Sequence, residues 1–476
     1  MRLLPSCRAL LGAGFLLASL PQVSWGTAYS LPDVVAVALK ENSKIKNACD
    51  AILEAHYRMD VAEADFGLRF TANSGSGLGT DTQTSQATTL RLLKRFASGT
   101  DVELSAGNTS TTDGFYRSFS GITISQAILR GFGPLANTAR VSDAARQILS
   151  SQRQFEITRE MVLVDVVAAF YRIVEQKLVL NIATHAVERA REIVRATEAK
   201  LDRGLATKSD VLRAESQASA AESARLDADE ALANAKDQLR VLAGIDSSTA
   251  IDVTASLDLP APTTTAAPGG DADQDPRLDV REAVDDVVGA ELDVDVARRE
   301  LLPDLRLGVN YSMVGTGDNF FDSLGLNDPT FRVIISSDMP LDRAAANARY
   351  NQAALDLDKK KRALEDLRRK TEVESRQAAR HVTTVQRRLR LQQNDVVAAR
   401  GTLDLVTLRF DRGYASNTEV LQAEQALTEA QRKEVELRIE QVGADLELRA
   451  ASGSLSSFFE SLLEHPLPEE KCSPEP

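Results

Sequence analysis

Apolar positions in this chain follow two periods, one helical and one alternating, and the order in which they succeed one another is written twice. From Leu31 to about Phe66 they recur at helical spacing, and the pattern predicts a helix. Turn-rich, alternating segments follow, up to Phe132. Helical spacing then returns from Pro134 to about Lys200 and, after a short break, from Lys208 to Ala243. The same order is written again: a helix from Pro276 to Leu302, alternating segments from Pro303 to Pro340, a long helix from about Asp342 to Arg409, and another from Asn417 to Ser452. Each long helix spans about 67 residues, which at 1.5 Å per residue is about 100 Å. A rod of that length is stable in water only when packed against other rods.

The two halves share words as well as order. Residues 201–215 read LDRGLATKSDVLRAE and residues 410–424 read FDRGYASNTEVLQAE, an offset of 209. Ala139-Arg140 and Ala348-Arg349 keep that offset, as do Gly244 and Gly453. A constant offset over more than a hundred residues indicates duplication. Gly204 and Gly413 are placed to end the long helices in the left-handed conformation. Thr207 or Ser209, and Ser416 or Thr418, are placed to cap the next ones, with Asp210 and Glu419 in their first turns. The repeated phrase therefore reads as the tight tip of a helical hairpin. The chain divides into an N-terminal segment 1–26, repeat one over 27–244 with strands in 67–128 and a helical hairpin over 134–243, and a Pro/Thr/Gly-rich linker over 245–275. Repeat two follows over 276–453, with strands in 304–339 and a hairpin over 342–452, and then a tail over 454–476.

The alternating segments have one apolar face. In 305–313, Leu305, Leu307, Val309, Tyr311 and Met313 alternate with Arg306, Gly308, Asn310 and Ser312. In repeat one, Leu68, Phe70 and Ala72 alternate with Arg69, Thr71 and Asn73, and GITIS and FRVIIS supply returning strands. Nine of the 15 Phe residues lie in 66–132 and 303–340, which suits an interfacial girdle. The strands read either as a small half-buried soluble sheet or, as the preferred expectation, as a share of a transmembrane barrel. One chain offers four to six strands, too few to close a barrel, so the pattern calls for association of copies.

Composition sharpens this picture. Residues 1–26 carry Arg2 and Arg8, a charge-free apolar run from Ala9 to Leu20 and small residues at Ser24 and Gly26, the layout of a secretory signal. The net charge is −13 before that segment is removed, which argues against nucleic acid as a partner. Cys49 and Cys472 remain beyond it; an oxidising compartment permits their pairing, but two unpaired thiols is the preferred expectation. The four histidines are scattered singly, so no metal site and no cofactor is expected. No Ser/His/Asp arrangement or phosphate loop supports an enzyme; Gly131-Phe132-Gly133 is a turn before a helix. The rival reading is a soluble periplasmic coiled-coil adaptor or scaffold, which accounts for the helices but leaves the one-sided strands without a use.

The tip phrases with DVLRAE and EVLQAE, the helix ends RVLAG and RAASG, LLPDLRL leading into a strand, and MPL before an Ala/Arg-rich helix start together resemble the TolC-like outer-membrane efflux protein family. The resemblance covers nearly all of the mature chain. It implies a mainly α fold with membrane β: a homotrimer in which long antiparallel helices form an α-barrel tunnel in the periplasm and β-hairpins form one shared twelve-strand transmembrane β-barrel in the outer membrane. It implies partners too, a periplasmic adaptor (membrane fusion) protein and an inner-membrane transporter, and a passive role as exit duct in efflux or type I secretion.

It further implies an acidic constriction near the tips. The aligned acids are Asp210 and Glu419, and trimer symmetry would concentrate their negative potential in one opening. Both also read as ordinary first-turn acids. Arg203 and Arg412, beside Gly204 and Gly413, are candidate partners for the acids or for an adaptor, and equally read as helix C-terminal cations. The sequence departs from the family where Gln422 and Ala415 replace an acid and a base. The largest departure is an additional hairpin, residues 88–107, absent from repeat two. Leu90, Leu92, Val102 and Leu104 alternate there with polar residues around an Ala97-Ser98-Gly99 turn. It either adds two strands per protomer, eighteen in a trimer, or lies outside the membrane as a cap or collar.

Overall fold

A computed structural model describes residues 29–78, 84–112, 114–246, 252–253 and 277–463. The secretory segment, most of the linker and Cys472 lie outside the described residues.

Helices α1 (Leu31–Glu41) and α2 (Ser43–Ala64) stand where one helix is expected. The break is at Asn42, whose side chain caps α2 by accepting from Lys44 N at 2.8 Å. Its amide also donates to Leu242 O at 2.6 Å, near the end of a helix two hundred residues away. A short polar side chain offers the backbone an alternative to continuing the helix, and a distant carbonyl holds it there. After the first strands come one-turn α3 (Pro134–Asn137) and the rods α4 (Ala139–Asp202) and α5 (Lys208–Ala243). Repeat two supplies α6 (Leu278–Glu300), one-turn α7 (Phe320–Ser323), and the rods α8 (Ala344–Asp411) and α9 (Asn417–Ala451). Part of the expected tail is a further helix, α10 (Leu455–Leu463).

Six strands form one sheet: β1 (Leu68–Leu78), β2 (Thr84–Arg95), β3 (Thr100–Thr111), β4 (Tyr116–Ala127), β5 (Asp304–Gly317) and β6 (Asp328–Asp338). Their order in space is their order in sequence, and every neighbouring pair is antiparallel. Pairing of β4 with β5, from Tyr116↔Gly317 to Ala127↔Arg306, joins the two repeats.

The main core lies partway along the rods. Val162, Leu163, Val166, Val167 and Phe170 of α4 meet Val34 and Val35 of α1, Leu239 of α5 and Phe459 of α10. The long rods of the two repeats differ in sequence and in environment: Val162, Leu163, Val166 and Val167 of α4 correspond, at the offset of 209, to Thr371, Glu372, Ser375 and Arg376 of α8. The 64-residue α4 buries seventeen residues and the 68-residue α8 only five. Leu391, Val397 and Leu405 of α8 stand exposed on a single chain. Cys49 on α2 is disulfide-bonded, which corrects the expectation of two unpaired thiols; its partner lies outside the described residues.

Candidate functional site

The two copies of the repeated phrase fold alike. Lys200 O accepts from Leu205 N at 2.8 Å and Leu201 O from Gly204 N at 2.8 Å, a Schellman ending on Gly204 with φ 72°. In repeat two the donors are Tyr414 N to Arg409 O and Gly413 N to Phe410 O, with Gly413 at φ 80°. The next helix then starts with a reciprocal cap. Asp210 Oδ2 accepts from Thr207 N at 3.0 Å and Thr207 Oγ1 at 2.7 Å, while Thr207 Oγ1 accepts from Asp210 N at 3.3 Å. Glu419 and Ser416 repeat this, with Glu419 Oε1 accepting from Ser416 N at 3.3 Å and Ser416 Oγ at 3.1 Å. The Thr207 hydrogen bonds hold the Asp210 carboxyl below its ordinary range. Both acids thus carry a local structural task, and both remain at the surface of the single chain, Glu419 the more exposed.

Tertiary packing puts the two tips together. Asn417, buried at the start of α9, donates from Nδ2 to Asp210 O at 3.0 Å. Arg213 Nη1 donates to Thr418 Oγ1 at 2.8 Å, and Gln425 Nε2 to Gln217 Oε1 at 3.1 Å. Lys200 donates to Phe410 O at 2.5 Å and lies 3.0 Å from the centre of the Phe410 ring, and burial lowers its pKa. Beneath these contacts, Ile193, Ala214, Leu403, Phe410, Val420 and Leu421 form a second apolar cluster. Farther along, Arg189 Nε meets Glu424 Oε2 at 2.6 Å; burial raises the Glu424 pKa against the pull of that guanidinium.

Of the residues expected here, Asp210 and Glu419 therefore sit on adjacent helix starts. Arg203 and Arg412 are exposed at the C-cap, one residue past the end of each long helix, and among the described residues neither pairs with those acids. Asn417, Lys200 and Arg213 escaped the sequence reading. Asn417 had one signal: at that position the repeats disagree, Lys208 in one and Asn417 in the other.

The other end of the molecule is the two-faced sheet. Register places Phe70, Leu92, Leu104, Ile122, Tyr311 and Phe331 side by side in one row across all six strands. The opposite face carries Arg69, Arg91, Glu103, Asn310 and Arg332, with Arg91 and Glu103 paired at 3.3 Å. No described helix is long and apolar enough to cross a membrane. A sheet that is apolar on one side and ion-paired on the other matches the wall of a water-filled barrel.

A family model described as outer membrane efflux protein matches residues 34–245 and 274–454. A search of curated proteins finds no match to the chain. Among solved structures, the outer membrane protein VceC from Vibrio cholerae is similar at 17% identity over 89% of this chain and 96% of that one, with a TM-score of 0.69. The Campylobacter jejuni CmeC outer membrane channel is similar at 16% identity over 95% and 94%, with a TM-score of 0.68. The open state of the Neisseria gonorrhoeae MtrE outer membrane channel is similar at 16% identity over 89% of each chain, also at 0.68. At these identities the likeness is one of fold.

Proposed function

This chain belongs to the outer membrane efflux protein family, and from that membership we propose that it is the outer-membrane exit duct of a tripartite efflux system. Three copies close a barrel in the outer membrane and a helical tunnel below it. An adaptor and an inner-membrane transporter engage the tips from the periplasm, and cargo passes by passive conduction once the tips part. The observation that carries this reading is the polarity of one long molecule, with a two-faced sheet at one end and two hydrogen-bonded hairpin tips at the other. A type I secretion duct is the same device with a polypeptide as cargo.

Asp210 and Glu419 form the aperture ring in this proposal, and Arg203, Gly204, Arg412 and Gly413 the surface an adaptor meets. The exposed Leu205 and Tyr414 beside those glycines give that surface an apolar component. Single-channel recording in planar bilayers tests the ring. The double variant Asp210→Asn/Glu419→Gln keeps cap acceptors in place while removing the charge, and it is expected to lose cation preference. Unchanged selectivity and conductance would remove the ring from the proposal.

A further inference from the structure

We propose that the additional hairpin is part of the barrel wall, so that each copy brings six strands and three copies close eighteen rather than twelve. The proposal rests on the trimeric duct reading above and extends it to the width of the pore. Strands β2 and β3 are interior strands of the sheet. β2 pairs with β1 from Leu68↔Lys94 to Leu78↔Thr84, and β3 with β4 from Thr100↔Gln126 to Ser110↔Tyr116. β1 is not a neighbour of β4, so a hairpin lifted away as a cap would leave the sheet in two pieces. Each of the two strands has 12 residues, the length of β4 and enough for a tilted membrane strand.

Side chains agree with the backbone. Leu92 and Leu104 continue the apolar row between Phe70 and Ile122. In the next row Val102 continues Ile124 and Val309; Lys94 is the exception, and its ammonium reaches back to Phe66 O at 2.6 Å, at the helix end of the sheet. The polar face is continuous as well, since Asp101 on β3 faces both Arg95 at 3.9 Å and Arg306 on β5 at 3.6 Å.

The hairpin turn is seated on the rim where the sheet hands over to helices. Asn137 Nδ2 donates to Ala97 O, Gly131 O and Gly133 O, and Gly133 N donates to Ser98 O at 3.1 Å. Gly99 has φ 85°, and a Cβ there would lie 2.2 Å from Gly131 O. β2 and β3 are thereby held at the same level as their neighbours.

Six is an even number, so β6 of one copy runs antiparallel to β1 of the next. Among the described residues those two edges are unpaired in the single chain, and Phe331 and Ile335 on β6 are 68% and 71% exposed. Width fits too. Four long helices from each of three copies, spaced about 8–10 Å apart, form a ring on the order of 100–120 Å around. Strands about 4.8 Å apart and tilted about 40° make a ring of roughly 75 Å from twelve, and of about 115 Å from eighteen. Eighteen strands continue such a helical tunnel without a step, and the narrowest point of the duct is then at the tips.

The test places a bimane-labelled cysteine on the full-length protein in phosphatidylcholine vesicles whose acyl chains are brominated. Leu92→Cys and Leu104→Cys in the hairpin are compared with Ile122→Cys and Val309→Cys in β4 and β5, and with Arg91→Cys on the polar face. Quenching at the hairpin sites within about twofold of the β4 and β5 sites, with little at Arg91→Cys, is the expected result. Quenching at Ile122→Cys and Val309→Cys but not at Leu92→Cys or Leu104→Cys overturns the proposal while leaving the duct intact. No quenching anywhere overturns the membrane reading and this proposal with it. Light scattering of the solubilised protein supplies the copy number; any value other than three overturns eighteen.

Discussion

Asn417 at the start of α9 donates a 3.0 Å hydrogen bond to the main-chain oxygen of Asp210 in α5, and so ties one hairpin tip to the other within a single chain. Among the described residues the Asn417 side-chain oxygen is buried without a partner, so the Nδ2 donation is the one hydrogen bond this side chain adds to the contact between the tips. Asn417→Ala removes a bond of about 0.5–1.5 kcal/mol together with an unsatisfied acceptor. Faster amide exchange over residues 205–215 and more frequent channel openings are expected. Unaltered exchange there would show that the tips are held by other contacts.

Two glycines of the same backbone class are expected to differ sharply on substitution. Gly204 has φ 72° and open space around its missing side chain, so Gly204→Ala costs only the conformational strain, about 1 kcal/mol. Gly99→Ala adds the clash with Gly131 O to the same strain. Thermal unfolding of both variants in detergent checks the order; equal melting temperatures would contradict it.

His381 on α8 lies between two α9 carboxylates, with Nδ1 3.0 Å from Glu447 and Nε2 3.4 Å from Glu440. Arg388 shares Glu440 at 3.7 Å. The Glu447 and Glu440 hydrogen bonds raise the His381 pKa. A raised folded-state pKa adds stability below the unfolded value near 6.5, and that stability is lost as pH rises through the folded value. The site is exposed to solvent, so the effect belongs to the surface ion-pair range of ~0.2–1 kcal/mol. His381→Gln is expected to flatten the stability difference between pH 5.5 and pH 8.5; an unchanged difference would assign it elsewhere.

Phe459 of α10 is fully buried against the main core, whereas Phe321 of α7 is 80% exposed. Phe459→Ala is expected to destabilise by ~3–5 kcal/mol, and Phe321→Ala to leave the melting temperature nearly unchanged. Melting curves of the two variants, recorded in detergent, make the comparison. A small effect at Phe459 would mean that α10 is dispensable to the core.

The tip was legible because it is local. A glycine, a hydroxyl and an acid at fixed spacing specify an ending and a cap within fifteen residues, and Gly204, Thr207 and Asp210 take those roles. Asn417 was not legible in the same way, because its partner lies two hundred residues away and only chain packing selects it. The break at Asn42 is similar: periodicity predicts a continuous helix, and the carbonyl of Leu242 decides otherwise.

By itself the sequence determined the duplication, the rod lengths, the two tips and which side of each strand is apolar, since all of these follow from spacing along the chain. The difference between α4 and α8 was also written there, since Val162, Leu163, Val166 and Val167 of α4 correspond to Thr371, Glu372, Ser375 and Arg376 of α8. The tertiary structure alone decided that β2 and β3 stand between β1 and β4, and that α1, α5 and α10 are what cover the apolar stretch of α4. Periodicity states which face of an element must leave water. It does not state which apolar face elsewhere in the chain will cover it, because that partner is chosen by packing between segments far apart in sequence.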